Sequence, residues 1–101
     1  MSTNINYIKP TVVAEHCCNH MGDLDLAKKM VKTAAECGAT YAKFQKWEPS
    51  VALSESQYNA PHPNSSHSFG EPYGIHRKNL EFTAKQHLEL KQFSEDHGIK
   101  Y

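Results

Sequence analysis

The chain has 101 residues, and its eleven basic and eleven acidic side chains cancel to a net charge of zero. Hydrophobic residues make up 39% and charged residues 22% of the sequence, close to ordinary soluble proteins. The balanced charge gives no sign of a nucleic-acid partner or of an anionic membrane surface. We find no long apolar run and no signal-peptide pattern, so we expect no membrane partner and a cytoplasmic location.

The cysteines and histidines give no pattern of a disulfide framework or a histidine-rich metal tract. Three cysteines is an odd number, and the adjacent Cys17 and Cys18 would form a strained bridge. Without a secretion signal we expect all three, including Cys37, to be reduced. Four of the seven histidines fall in or after a polar stretch, and we expect them to be exposed or in loops: His62, His67, His76 and His87.

The first regular elements are a strand followed by a helix. A polar lead-in covers residues 1–10, and alternation over Thr11–Glu15 predicts a strand. Asp23 is a good N-cap candidate for the helix that follows, and Gly38 stands where a C-terminal glycine belongs. Apolar residues recur at three- and four-residue spacing between them: Leu24, Ala27, Val31 and Ala34.

A second strand is predicted over Tyr41–Gln45. Its alternation places Lys43 and Gln45 on one face, which must therefore meet solvent or a polar cavity. Strand–helix–strand is the repeating unit of parallel α/β proteins, in which ligands bind at the carboxyl ends of the strands.

Periodicity then disappears from Trp47 to about Lys78. Prolines and glycines punctuate a stretch rich in Ser, Asn and His, with room for a short helical turn near Ser54–Tyr58. Loops of this length inside a compact domain are uncommon. We expect a functional lid over the site, with a mobile linker as the alternative.

A second helix and the start of a third strand follow the loop. Thr83 and Gln86 have the spacing of a capping box, which predicts a helix running to about His97 and ended by Gly98. Ile99–Tyr101 then begins an apolar extended segment. The fold class is therefore α/β.

Chemically capable side chains follow both predicted strands. Neighbouring strands lie about 4.8 Å apart, so Glu15 and Lys43 can share one cavity, where the lysine binds an anion and the carboxylate handles protons. Gln45 can exchange hydrogen bonds with a sugar hydroxyl. A purely structural Glu15–Lys43 ion pair is the alternative.

A metal site is a weaker hypothesis for the segment after the first strand. His16 and His20 are four residues apart with two thiols between them, a spacing that aligns ligands on a helix. Here the residues fall on a strand end and a turn, and no second ligand pair follows. We expect Asn19 and His20 to shape the turn, and we assign no metal ligand.

Two segments resemble the sialic acid synthase family. The first is VVAEHCCNHMGDLDLAKKMVKTAAECGATYAKFQ, similar to the family's Ala-Glu-Ile-Gly, Asn-His-x-Gly-Asp and Lys-Phe-Gln motifs taken in order. The second is NLEFTAKQHLELKQFSEDHGIKY, similar to the family's second helix and entry into its third strand. Where the family has Ile-Gly, this chain has His16 and Cys17, and the family's glycine is expected to permit a tight turn.

The resemblance implies a fold, a reaction and a set of roles. Family members are (β/α)8 barrels that condense phosphoenolpyruvate with an N-acylated amino sugar such as N-acetylmannosamine, giving a nonulosonic acid and phosphate. By position, Glu15 would be catalytic and Lys43 would be catalytic and bind phosphoenolpyruvate. Gln45 would hold the sugar, and Asn19 and His20 would shape the rim of the substrate site.

The resemblance also implies what this chain would lack. A divalent metal, manganese or magnesium, is expected, with its ligands on later strands absent from this chain. A homodimer is compatible with the full-length family. A closed barrel needs about 250 residues, so we expect residues 11–101 to be the N-terminal part of one: strand, helix, strand, long loop, second helix and the start of a third strand.

Such a part is expected to be incomplete for catalysis, which leaves two alternatives open. One is a Schiff-base aldolase of the same fold that uses Lys43 as its nucleophile. The other is a truncated, non-catalytic remnant that binds a sugar or another chain.

Overall fold

The structure, a computed structural model, describes residues 8–101. Most of the predicted lead-in, residues 1–7, therefore lies outside the described part, and its boundary stays a prediction. The elements are, in chain order, β1 Val13–Cys17, α1 Leu24–Glu36, β2 Tyr41–Phe44, α2 Pro49–Ala52, α3 Glu55–Asn59, a 3-10 turn Ser65–His67, α4 Tyr73–Asn79 and α5 Ala84–Asp96.

The first helix begins and ends where its capping residues predict. An oxygen of Asp23 accepts a hydrogen bond from the backbone N–H of Leu26 at 3.1 Å, which satisfies one of the free donors of the first turn. Gly38 follows the C-cap with a φ of +86°, a left-handed conformation that glycine adopts without steric cost. The apolar stripe places Ala27 and Val31 in the core.

The last helix is also the one predicted from its cap. Thr83 and Gln86 form both hydrogen bonds of a capping box, between 2.8 and 3.2 Å. Leu90 is fully buried, and the hydroxyl of the equally buried Ser94 donates to the Leu90 carbonyl at 2.7 Å. The helix ends one residue earlier than predicted.

The sheet is parallel, with β1 paired to β2. Lys100 adds a single parallel bridge to Tyr41, which is the predicted entry into a third strand. Both predicted strand ranges were partly wrong. β1 begins and ends two residues later than predicted, because its pairing with β2 starts at Val13 and continues through Cys17. β2 ends at Phe44, one residue earlier than predicted.

The two long helices cover one face of this sheet. The core between them contains Ala27, Val31, Ala42, Phe82, Leu90 and Ile99. On the opposite face Val13 is 50% exposed, and Glu15 and Lys43 are exposed beside it. In a closed barrel the uncovered face would be the interior, and the two predicted catalytic side chains would point toward the barrel axis.

The prediction of an irregular loop from Trp47 to about Lys78 was wrong in part. Three short helices and the 3-10 turn interrupt it, and only the turn near Ser54–Tyr58 had been expected. That turn became α3, closed by a capping box between Ser54 and Gln57. Helices of four to seven residues bury too few side chains to leave a readable period.

Candidate functional site

Glu15 and Lys43 meet at the carboxyl ends of the two strands. They are register partners in the sheet, and Lys43 Nζ lies 2.7 Å from Glu15 Oε2. The side chain of Lys43 is 57% exposed and that of Glu15 is 35% exposed, so both are accessible from the uncovered face. The strand spacing predicted this meeting, and the structure contains it.

A β-bulge follows Glu15 and turns the chain back on its carboxylate. The register shifts between Glu15 and Cys17, and Cys17 takes a left-handed φ of +49°. Its backbone N–H donates to Glu15 Oε1 at 3.0 Å, and its thiol donates to the same oxygen at 3.2 Å. The tight turn expected at this position is present, although a cysteine stands there.

These contacts set the protonation states of the site. The hydrogen bond from Lys43 has the largest effect on Glu15 and lowers its pKa. The hydrogen bond from the Cys17 thiol lowers it further. The same pair raises the pKa of Lys43, and the bond to Glu15 raises the pKa of the Cys17 thiol. Near neutral pH the site therefore contains a carboxylate, an ammonium and a protonated thiol.

Lys43 also borders space for a ligand. A depression of about 420 Å³ beside Lys43 is lined mainly by apolar and aromatic side chains, with Val13, Tyr41, Ala42, Phe44 and Tyr101 around it. Gln45 is exposed one residue beyond β2. An ammonium beside apolar walls suits a small anion that has an apolar portion.

Asn19 and His20 lie in the turn after β1, but on different sides of it. Asn19 is exposed, and its backbone N–H donates to the His16 carbonyl at 3.0 Å. His20 is only 3% exposed: its ring stacks on Phe82 with centroids 4.0 Å apart, and its Nδ1 accepts from the Gly22 N–H at 3.0 Å. His20 lies in the turn where it was expected, and its predicted contact with substrate stays a prediction.

A histidine–aromatic cluster lies beneath the strand ends, on the helix side of the sheet. Phe44 lies between His16 and His20, with ring centroids at 5.0 and 5.9 Å. The ring of His87 meets the edge of Phe82 at 5.9 Å and hydrogen-bonds the hydroxyl of Tyr101. The cluster comprises His16, His20, Phe44, Phe82, His87 and Tyr101.

Burial changes the titration of the cluster. It lowers the pKa of His16, His20 and His87, and it raises that of Tyr101 to about 12. The expectation that His76 and His87 are exposed or loop histidines was wrong. His76 lies buried in α4, where burial also lowers its pKa, and His87 lies half-buried in α5. Adjacent polar residues had hidden this burial in the sequence.

A second group that sequence reasoning missed ties α4 to the strand ends. The guanidinium of Arg77 lies 4.0 Å from the ring centre of Trp47 and 3.9 Å from Glu81, and it donates to the Cys18 sulfur at 3.6 Å. Glu81, only 9% exposed, accepts the Trp47 N–H at 3.0 Å. The i, i+4 spacing of Arg77 and Glu81 was the one signal available in the sequence.

No metal-binding group is found in the described residues. Within residues 8–101 no three His, Cys, Asp or Glu side chains converge as metal ligands would. His16 and His20 instead pack on Phe44, and His20 Nδ1 is engaged by Gly22. Over the same residues, no helix has the length and apolar character needed to cross a membrane.

Comparison with known proteins decides the family. The sequence model of the NeuB family matches residues 30–101, most of the chain. The chain belongs to the NeuB family. Its predicted resemblance to sialic acid synthases is thereby confirmed.

Named relatives agree with this assignment. The N-acetylneuraminate-9-phosphate synthase of Homo sapiens is 44% identical over 88 residues, which is 87% of this chain and 24% of that protein. The N,N'-diacetyllegionaminic acid synthase of Campylobacter jejuni is 35% identical over 82 residues, 81% of this chain and 25% of that protein. The chain thus spans about a quarter of the length of the curated relatives it matches.

A solved structure supports the fold. The N-acetylneuraminic acid (sialic acid) synthetase of Leptospira borgpetersenii superposes with a TM-score of 0.65 at 31% sequence identity. The match covers 90% of this chain and 27% of that one. The predicted α/β fold, the N-terminal portion of the barrel, is confirmed.

Proposed function

We propose that this chain forms one side of the active site of a synthase that condenses phosphoenolpyruvate with an N-acylated amino sugar. The product would be a sialic-type acid and phosphate. The observation that carries the proposal is the Glu15–Lys43 pair, with 2.7 Å between the charged atoms, at the carboxyl ends of neighbouring parallel strands. In barrel enzymes the reacting groups come from these strand ends.

Each of the two charged residues has a role that fits its state. Lys43 is protonated and half-exposed, so it can bind the carboxylate or phosphate of phosphoenolpyruvate without a change in protonation. Its three donors allow it to keep Glu15 while it binds an anion. Glu15 is ionised, so it can accept a proton during the condensation.

The remaining assignments complete one side of the substrate site. Gln45, exposed beyond β2, would hold a sugar hydroxyl, because an amide both donates and accepts. Asn19 and His20 would shape the rim after β1. The carboxyl-end position of all these groups supports binding both substrates from the same direction.

The relatives' names suggest two classes of sugar. The human relative is named for a 9-phosphate product and the Campylobacter relative for a legionaminic acid. When phosphoenolpyruvate adds its carbon atoms to a hexosamine, C6 of the sugar becomes C9 of the product. Identity is higher to the human protein, so we propose N-acetylmannosamine with a phosphate at C6 as the first sugar to test, and the unphosphorylated sugar as the second.

A divalent metal, manganese or magnesium, is part of the proposal, and when bound it would polarise the sugar aldehyde. The described residues do not offer a ligand set for it. A homodimer of the complete protein also stays a prediction.

The Schiff-base alternative is disfavoured by the state of Lys43. An imine-forming lysine must be unprotonated, which requires a lowered pKa. The salt bridge to Glu15 raises the pKa of Lys43, and the side chain is half-exposed instead of desolvated. Lys43 is therefore suited to bind an anion and unsuited to attack a carbonyl.

A chimaera tests the proposal. In it, this chain replaces the matching quarter of the human N-acetylneuraminate-9-phosphate synthase, so that the rest of the barrel is supplied. We expect phosphate release from phosphoenolpyruvate only when an N-acylated mannosamine is present, faster with the 6-phosphate. A Lys43→Met chimaera, which keeps an unbranched side chain of nearly the same length and loses the charge, should release far less.

Three outcomes separate the alternatives. Sugar-dependent phosphate release without trapping by borohydride supports the synthase. Borohydride trapping of pyruvate on Lys43 would instead establish the aldolase. A folded chimaera that binds sugar but releases no phosphate under any condition would identify a binding remnant.

A further inference from the structure

Cys17 makes two hydrogen bonds to the carboxylate of Glu15. Its backbone N–H and its thiol both point at Glu15 Oε1, at 3.0 and 3.2 Å, while Lys43 holds Oε2 at 2.7 Å. Three donors therefore fix the two oxygens of one carboxylate. A half-exposed glutamate on a sheet face would otherwise sample several rotamers.

The backbone at Cys17 is an unfavourable one for a cysteine. A side chain at a φ of +49° costs on the order of 1–2 kcal/mol relative to the right-handed conformation, whereas glycine takes either freely. Glycine would also keep the N–H bond to Glu15. The thiol is what a cysteine supplies here and a glycine does not.

We propose that Cys17 is a positioning residue for Glu15, whose thiol hydrogen bond orients the carboxylate toward Lys43. The inference rests on the proposed function only in taking Glu15 as the group that handles protons. Residues with a strained backbone are common at functional sites, and β-bulges are common beside active sites. The bulge at Cys17 lies directly after Glu15.

The chemistry of the thiol is consistent with this role. A thiol donates a hydrogen bond only while it is protonated, and the bond to Glu15 raises the pKa of Cys17. Donation by Cys17 in turn lowers the pKa of Glu15. The hydrogen bond therefore favours a protonated thiol on Cys17 and an ionised carboxylate on Glu15.

The test is the titration of the Glu15 carboxyl, followed by carbon NMR in the full chain and in three variants. Cys17→Gly keeps the N–H and relieves the backbone, and Cys17→Ser keeps a donor on the side chain. We expect the pKa of Glu15 to rise in Cys17→Gly and to return toward the original value in Cys17→Ser. Cys37→Ser, a change at an exposed cysteine at the end of α1, should leave it unchanged.

A second measurement does not depend on the folding of any Cys17 variant. The rate of Cys17 alkylation, read by mass spectrometry against pH, reports the ionisation of the thiol. Glu15→Gln removes the charged acceptor, so we expect Cys17 to ionise at lower pH than in the original chain.

Two results would overturn the proposal. One is an unchanged Glu15 titration in a Cys17→Gly chain that is simply more stable, which would make Cys17 a strained residue with no positioning role. The other is an unchanged alkylation profile in Glu15→Gln. Neither measurement involves substrate, so each can fail while the synthase assay succeeds, and the reverse also holds.

Discussion

Mild acid should unfold this chain, because three histidines of the histidine–aromatic cluster are held neutral in its interior. His16 and His20 are buried and His87 is half-buried, and burial lowers the pKa of each. Nearby charges only partly offset one another at His87, where Lys46 lowers the pKa and Glu81 raises it.

The direction follows from proton linkage. Above the ordinary histidine value of 6.5, both folded and unfolded chains leave these rings neutral and stability does not vary with pH. Below 6.5 these histidines take up protons in the unfolded chain but stay neutral in the folded chain, so stability falls as pH falls. The lowered pKa of Glu15 acts in a separate window, since its contribution is present above about 4.5 and lost below it.

The size of the effect depends on the number of rings. Each histidine that stays neutral in the folded chain contributes up to about 1.4 kcal/mol per pH unit. Three such rings contribute up to about 4 kcal/mol per pH unit together. Small domains are stable by about 5–15 kcal/mol, so this upper limit over one to two pH units below 6.5 is a large part of the total stability.

The assay is urea unfolding followed by circular dichroism, in steps from pH 7.5 to pH 5. His16→Leu is the informative variant, because His16 Nε2 is buried without a hydrogen-bond partner among the described residues. The variant should be more stable at pH 7.5 by about 1–3 kcal/mol, and its loss of stability with pH should be shallower by about one proton. His67→Gln, at an exposed histidine, is the control.

Two outcomes would refute this reasoning. The first is a stability that stays level down to pH 5, which would mean that the rings protonate without unfolding the chain. The second is an equal pH dependence in His16→Leu and His67→Gln, which would remove His16 from the account.

The other predictions concern the site and one turn. In the chimaera, Gln45→Ala should weaken sugar binding more than phosphoenolpyruvate binding by calorimetry, and equal losses would exclude its assigned role. Glu15→Gln should depress turnover more than either affinity, and an unchanged turnover would contradict a proton-handling role. Gly22→Ala should cost at least about 2 kcal/mol, since φ is +76° and a Cβ would lie 2.4 Å from the Asn79 carbonyl oxygen. Gly98→Ala, with a φ of +73° and open space, should cost only about 1 kcal/mol, and equal costs in urea unfolding would exclude the close approach.

The parts of the fold predicted best were those specified by local chemistry. Asp23 and Thr83 cap helices with their own side chains, and each helix begins at the residue after its cap, as predicted. The meeting of Glu15 with Lys43 also followed from two periodic strands and a fixed strand spacing.

Non-local packing determined what the sequence did not predict. No residue pattern near Cys17 predicts a bulge, because the register is set by the pairing of Cys17 with Phe44 on another strand. α4 lacks a side-chain N-cap, and its place depends on Arg77 reaching Trp47 and Glu81. His20 is a polar residue in a turn, and its stacking on Phe82, a residue far away in the sequence, could not be predicted from the residues around it.

The affinity of the chimaera for phosphoenolpyruvate, with Lys43→Ala and Lys46→Ala compared, tests the central claim most directly. Both lysines are half-exposed and paired with a glutamate near the end of β2, but only Lys43 lies on the uncovered face beside Glu15. Loss of a charge-assisted contact to the anion should cost about 1.5–3 kcal/mol, or about ten- to a hundredfold in Kd. We expect that loss for Lys43→Ala and a change of less than about threefold for Lys46→Ala. Equal effects of the two substitutions would contradict the assignment of Lys43 to the substrate anion.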